Sequence, residues 1–162
     1  MAAIRTGWSL RPSAMEASGN AIAILGNHEL NALLFHGKGD NAERDQSGFM
    51  RAHSVNNVRQ HESFLREFPV GNKHTLEALE WFQSLPVFLD LGPIRLVHAY
   101  WDTTQIEIIR ERNADGRLRS HDLQELAFEN DATPFAERCW QVSKDLNWSF
   151  PPVVHLRIVM GV

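Results

Sequence analysis

Asn27, His28 and Glu29 follow a short all-apolar run, "AIAIL" at 21–25, with only Gly26 between. Further along, the run "IRLV" at 94–97 ends in His98. An amide oxygen and imidazole nitrogens are donors that divalent manganese, iron or zinc accept. Imidazole also titrates near neutral pH, so it can give or take a proton in a hydrolytic step. In open α/β sheets ligands bind beyond the carboxyl ends of the strands, and these four residues stand at such ends. Plainer readings exist for each. Asn27 is a good helix N-cap by type, and Glu29 in a first helical turn complements the helix dipole. A histidine at a strand end serves packing as readily as ligation. Metal site, anion site and helix cap all stay open at this point.

The elements that must position these residues can be read from periodicity. An all-apolar run such as "AIAIL" suits an interior parallel strand covered on both faces. From Asn27 the pattern turns helical, with Leu30, Leu33 and Leu34 on one side. Residues 37 to 50, "GKGDNAERDQSGFM", read as an exposed loop. Helical spacing over 55–68 puts Val55, Val58, Phe64, Leu65 and Phe68 on one face. A further helix is predicted from Lys73 to Ser84, with Asn72 as N-cap and Leu76, Leu79 and Phe82 as its stripe. Two strand-like runs, "VFLDL" at 87–91 and "IRLVHA" at 94–99, flank the turn pair Gly92-Pro93 and predict a tight antiparallel connection or two adjacent strands. Helices follow over 103–112, 120–129 and 133–145, and the tail "PPVVHLRIVMGV" is one more β-branched run. The class is α/β or layered α+β.

Composition narrows the partners. A chain of 162 residues supports one domain with a core, and 43% hydrophobic against 22% charged residues argues against wholesale disorder. The net charge of −4 and the interleaving of Arg51, Arg59 and Arg66 with Glu62 and Glu67 leave no electrostatic footprint for nucleic acid. No run approaches the roughly 20 apolar residues of a membrane span. The lone Cys139 cannot close an internal disulfide and reads as structural, which suits a reducing compartment; a soluble cytoplasmic protein is expected.

"ILGNHELNAL" with the later "LVHAYWD" resembles the calcineurin-like metallophosphoesterases of the phosphoprotein-phosphatase type. "NNVRQHESFLREF" and "LEWFQSLPVFLDLGPIRLVHA" are similar to the bacterial branch that holds the symmetric diadenosine-tetraphosphate hydrolases and PrpE-type phosphatases. The resemblance spans residues 15–153, between an atypical leader (1–14) and an atypical tail (154–162). It implies a β-sandwich flanked by helices, here partial, and a two-metal hydrolase acting on phosphate esters, nucleoside polyphosphates or phosphoproteins. Such sites hold two ions about 3.5–4 Å apart. By position, Asn27 and His98 match ligands of the second metal, and His28 matches the histidine that protonates the leaving oxygen. Glu29 matches a carboxylate that orients rather than ligates. The metal implied is manganese, iron or zinc.

The resemblance is partial in a way that matters chemically. The family's Asp-x-His and GDxxDRG elements are absent, and Glu16 is the one carboxylate before Asn27. In place of the C-terminal Gly-His-x-Trp element stands "PPVVHLRIVMGV", where His155 is a displaced, weak candidate ligand. Two neutral donors without a bridging carboxylate offset little of a dication's charge once water is removed. The expected protein is therefore truncated or rearranged, and weakly active or inactive on its own. The alternative is a non-catalytic binding or assembly module, or a gene fragment, that self-associates through the apolar edge of "AIAIL".

Other constellations fail or stay bland. "HELNA" lacks the second histidine of a zinc-protease helix, since Ala32 stands there. His28 and His36 are eight residues apart, about 12 Å along a helix axis, too far for one ion. His53, His61, His74 and His121 lie in polar stretches and are expected at the surface. Trp81, Trp101, Trp140 and Trp148, with no basic stripe beside them, read as packing residues.

Overall fold

The computed structural model describes residues 18–19, 21–39, 48–127 and 133–143. The leader, the tail with His155, the middle of the 37–50 loop, Trp148 and the ends expected for the last two helices lie outside the described residues. The fold mixes helices with a small sheet. No helix among the described residues is long and apolar enough to cross a membrane.

"AIAIL" is buried as expected at Ala21, Ala23, Ile24 and Leu25, while Ile22 stays 36% exposed. It does not form a named strand among the described residues, which corrects the interior-strand expectation. Leu25 N–H donates to the Pro86 carbonyl at 2.8 Å. Among the described residues this contact is a single backbone hydrogen bond and not a ladder. The sheet formed by the described residues has two strands, and no sandwich is built from them.

Helix α1, Asn27–His36, begins where Gly26 ends the apolar run. Its Leu30, Ala32, Leu33, Leu34 and Phe35 are all buried, more than one stripe, so α1 is the central helix of the core. The chain then returns onto its C-terminal end. Lys38 pairs with Phe49, Met50 N–H donates to the Gly37 carbonyl (2.9 Å), and Arg51 N–H to the Leu34 carbonyl (3.0 Å). This closure sets Arg51 and His53 against α1.

The single helix predicted over 55–68 is two: α2, Val55–Gln60, and α3, Glu62–Glu67. Ser54 caps α2 by accepting from Asn57 N–H at 3.3 Å. His61 departs from helical backbone at φ −101°, ψ 4°, and this turn breaks the shared face. Phe64 and Phe68 are buried, but Val55 is 84% exposed and Val58 39%. Helix α4, Lys73–Ser84, starts as expected, with Asn72 Oδ1 accepting from His74 N–H at 2.9 Å. Its buried face is Thr75, Ala78 and Phe82, one position round from the Leu76 stripe; Leu76 is exposed. Thr75 can be buried because its hydroxyl donates to the Pro69 carbonyl at 2.7 Å.

Strands β1, Phe88–Asp90, and β2, Arg95–Val97, pair antiparallel with Phe88 opposite Val97 and Asp90 opposite Arg95. Gly92, at φ +82°, makes the turn between them. Helices α5 (Thr103–Arg112), α6 (Ser120–Leu126) and α7 (Pro134–Ser143) complete the described chain. The α5–α7 pair packs closely, with Cys139 buried on α7 as a structural thiol. Burial pushes that thiol's pKa up, so it is inert. Ala99 N–H donates to the Val142 carbonyl at 3.1 Å, which ties the end of β2, and so His98, to α7.

One buried carboxylate fastens α5 to α6. Asp122 is fully buried and accepts from Arg119 N–H (2.7 Å) and Asn113 Nδ2 (2.9 Å), while Arg112 Nε lies 2.9 Å from its other oxygen. Removing it strips the Asn113 amide and the Arg119 N–H of their acceptor and takes the buried countercharge from Arg112. Asp122→Ala should lower the unfolding free energy by about 3 kcal/mol, read as a drop in the urea midpoint at unchanged slope.

Candidate functional site

The site begins at Gly26. Its backbone is extended, φ −105° and ψ 179°, and it occupies the N-cap position of α1. Glu29, three residues on, turns back so that its Oε2 accepts from Gly26 N–H at 3.1 Å. That is the acidic half of a capping box, and it supports the plain reading of Glu29 as a residue that starts the helix. A Cβ at position 26 would stand 2.8 Å from Glu29 Oε2 and 2.8 Å from His98 Nδ1. The carboxylate and the imidazole are thus neighbours across a glycine that leaves them room.

Asn27 is the first residue of α1, not its cap. Its side chain is buried, and Oδ1 has no hydrogen-bond donor. The helix-cap explanation for Asn27 therefore fails. A buried carbonyl oxygen without a donor costs about 1–3 kcal/mol, so it calls for a partner such as a cation or an N–H group. His28 is half-buried, and burial followed by the nearness of His98 lowers its pKa. It is therefore neutral at pH 7. Burial raises the Glu29 pKa, opposed by the backbone N–H groups of Glu29 and Gly26.

The structure thus brings Glu29 and His98 together at the start of α1 and sets His28 within electrostatic reach of His98. His155 lies outside the described residues. Among the described residues no group of three or more His, Cys, Asp or Glu side chains could hold a metal ion. By donor type, an amide oxygen and an imidazole would hold one ion weakly, and without a carboxylate ligand they would not hold a bridged pair.

A second cluster escaped the sequence reading. His53 and His61, expected at the surface, are half-buried, whereas His74 and His121 are exposed as expected. His61 Nε2 lies 3.3 Å from His36 Nε2, and His53 Nε2 lies 2.7 Å from the Phe35 carbonyl. Their rings stack on aromatic neighbours, His53 on Phe35 with centroids 3.9 Å apart and His61 on Phe64 at 4.8 Å. Arg51 Nη1 donates to Asn31 Oδ1 beside them. A cleft opens here, lined by Asn31, Arg51, Asn57, Gln60 and His61 over Phe35, with His28 at one side. A weak sequence signal existed, since His36 and His61 each precede or follow an apolar helical stretch. Only the closure of 48–53 onto α1 makes them a group.

Comparison with models of known families, with curated proteins and with solved structures found no match.

The histidine pair carries a pH dependence. Burial and the nearness of His53 push the His36 pKa down to about 4; burial, His36, Arg51, His28 and His53 push that of His61 down to about 3. In the unfolded chain both titrate near 6.5. The unfolded state therefore binds more protons between these values, and stability falls as pH drops below 6.5. Above 6.5 both states hold neutral rings and the contribution is flat. In His61→Gln the fall in thermal midpoint between pH 6.5 and 4.5 should be shallower than in the wild type, by about one proton's share.

Proposed function

We propose that this chain is of metallophosphoesterase type and that Asn27, His98 and His28 are the remaining half of a two-metal phosphate-ester site. The observation that carries the reading is the Asn27 amide oxygen, buried without a donor at the start of α1. It is joined by an imidazole, His98, that reaches Gly26 from the end of β2. The end of β2 and the start of α1 thus meet at Gly26, where a ligand could be held from both.

The roles follow from the chemistry of each group. Asn27 Oδ1 and the His98 imidazole would hold one divalent ion, manganese, iron or zinc, which would supply charge neutralisation of a bound phosphate and activation of a water. Glu29 anchors Gly26 N–H and stands beside His98, so it orients rather than ligates. His28 would pass a proton to the leaving oxygen. Being neutral at pH 7, it needs the negative charge of a phosphate nearby to hold that proton. The substrate class is a phosphorylated small molecule, a nucleoside polyphosphate or a phosphoprotein. With no carboxylate to bridge two ions among these residues, hydrolysis by the chain alone should be weak or absent.

Calorimetric titration of manganese into the purified chain tests this. Binding in the range of about 10–1000 μM, lost on Asn27→Ala and on His98→Ala, is the expected outcome. Absence of binding at millimolar manganese would remove the reading and leave Asn27 as an unexplained buried amide. Assembly through the "AIAIL" edge is the competing reading. It has less apolar surface to work with, because four of the five side chains are buried. A concentration-dependent dimer in light scattering, lost on Ile22→Lys, would favour it.

A further inference from the structure

We propose that α2 is a lid on the cleft beside His28, latched by the contact between His36 and His61, and that acid releases it. The proposal stands whether or not a metal binds at Asn27 and His98. Helix α1 supplies one side of the cleft through His28, Asn31 and Phe35, while Asn57 and Gln60 of α2, with His61, supply the other. No residue of α2 is buried, and Val55 is 84% exposed. The side-chain hydrogen bond of Asn57, from Nδ2 to the Ala52 carbonyl at 2.7 Å, stays within the same segment. Little apolar burial holds α2 down, and such a unit opens at low free-energy cost.

Both ends of the lid are anchored. On one side Arg51 N–H donates to the Leu34 carbonyl at 3.0 Å, and His53 Nε2 lies 2.7 Å from the Phe35 carbonyl. A carbonyl only accepts, so His53 donates from Nε2, and a proton added at its Nδ1 leaves that bond in place. On the other side Phe64 and Phe68 are buried. Between these anchors the backbone leaves helical geometry at His61, whose Nε2 crosses to within 3.3 Å of His36 Nε2.

This latch holds only while His36 is neutral. One ring must donate across the contact and the other accept. If His61 donates, a proton arriving at His36 Nε2 sets two N–H groups against each other. If His36 donates, its one free lone pair is on Nδ1, which is buried without a partner, so a proton there has no acceptor. Carbonyls at the C-terminal end of α1 favour a charge on His36, yet burial and His53 prevail against it. Facing His61 are His28 and His36 on α1 and Arg51 and His53 on the closing segment, all of which oppose its charge. Its neighbour Glu62 on α3 is exposed and paired with Arg66 at 2.8 Å, and Arg59 on α2 is exposed. With the lid raised, both rings titrate near 6.5 again. The open form therefore takes up protons below pH 6.5 that the closed form refuses, and falling pH favours opening. Above 6.5 neither form gains a proton, and the lid stays shut.

The test is hydrogen exchange read by mass spectrometry on the full chain at pH 7.5 and 5.5, corrected for the intrinsic pH dependence of exchange. Opening of residues 54–61 should rise about a hundredfold, roughly tenfold for each histidine released. Peptides from α5 and α6 around Asp122 should change less than about twofold. His36→Gln and His61→Gln should each leave about a tenfold rise, and the double variant should lose it. No rise at 54–61, an equal rise in α5 and α6, or a rise that survives in the double variant would overturn the proposal. The first two outcomes are read on the wild-type chain, so they decide the matter even where a variant fails to fold.

Discussion

The missing side chain at Gly26 is the constraint on which the rest of the site depends. Any Cβ there would press within 2.8 Å of both the Glu29 carboxylate and the His98 ring. Its absence lets three things happen in one place. The apolar run stops, Glu29 folds back to cap the helix start, and the end of β2 closes over the same backbone. Asn27 is then carried inward as the first residue of α1, where its amide oxygen finds no donor. The orientation of α1, and with it the side on which His28 and Asn31 emerge, follows from that junction.

Two opposite treatments of buried polarity coexist in this small fold. At Asp122 a buried charge takes hydrogen bonds on one oxygen from Asn113 and the Arg119 backbone and an ion pair with Arg112 on the other, and this joins α5 to α6. Around α1 the polar groups are only partly answered. Asn27 Oδ1 and His36 Nδ1 are both buried without partners, and His36 and His61 are held neutral beside Arg51. Stability alone would favour apolar residues at such positions. Asn27 Oδ1 and His36 Nδ1 stand at the two ends of α1, and further buried polar atoms without partners occur at Trp101, Gln105 and Arg138.

His28 stands between two groups of polar side chains: it lies within electrostatic reach of His98 and lines the cleft with Arg51 and His61. Under the hydrolytic reading, that position would let it move a proton.

Local chemistry made much of this legible. Asn72 as a cap, the helix from Lys73 to Ser84, the antiparallel turn at Gly92 and the buried Cys139 all follow from residue type and period, because each depends on neighbours within a few positions. The polar cluster after "AIAIL" was legible for the same reason. Other features depend on what lies far along the chain. "AIAIL" meets the segment at Pro86 through one backbone hydrogen bond and builds no ladder there among the described residues. The backbone turn at His61 splits the predicted helix, so Val55 and Val58 face solvent although their spacing is that of a core stripe. The return of 48–53 onto α1 gathers Arg51, His53 and His61 around His36, residues that look like unremarkable surface polar groups in one dimension. Sequence by itself determined where helices start and which residue types could do chemistry. Tertiary structure alone decided which of them share a site, because burial and charge repulsion act through space and not along the chain.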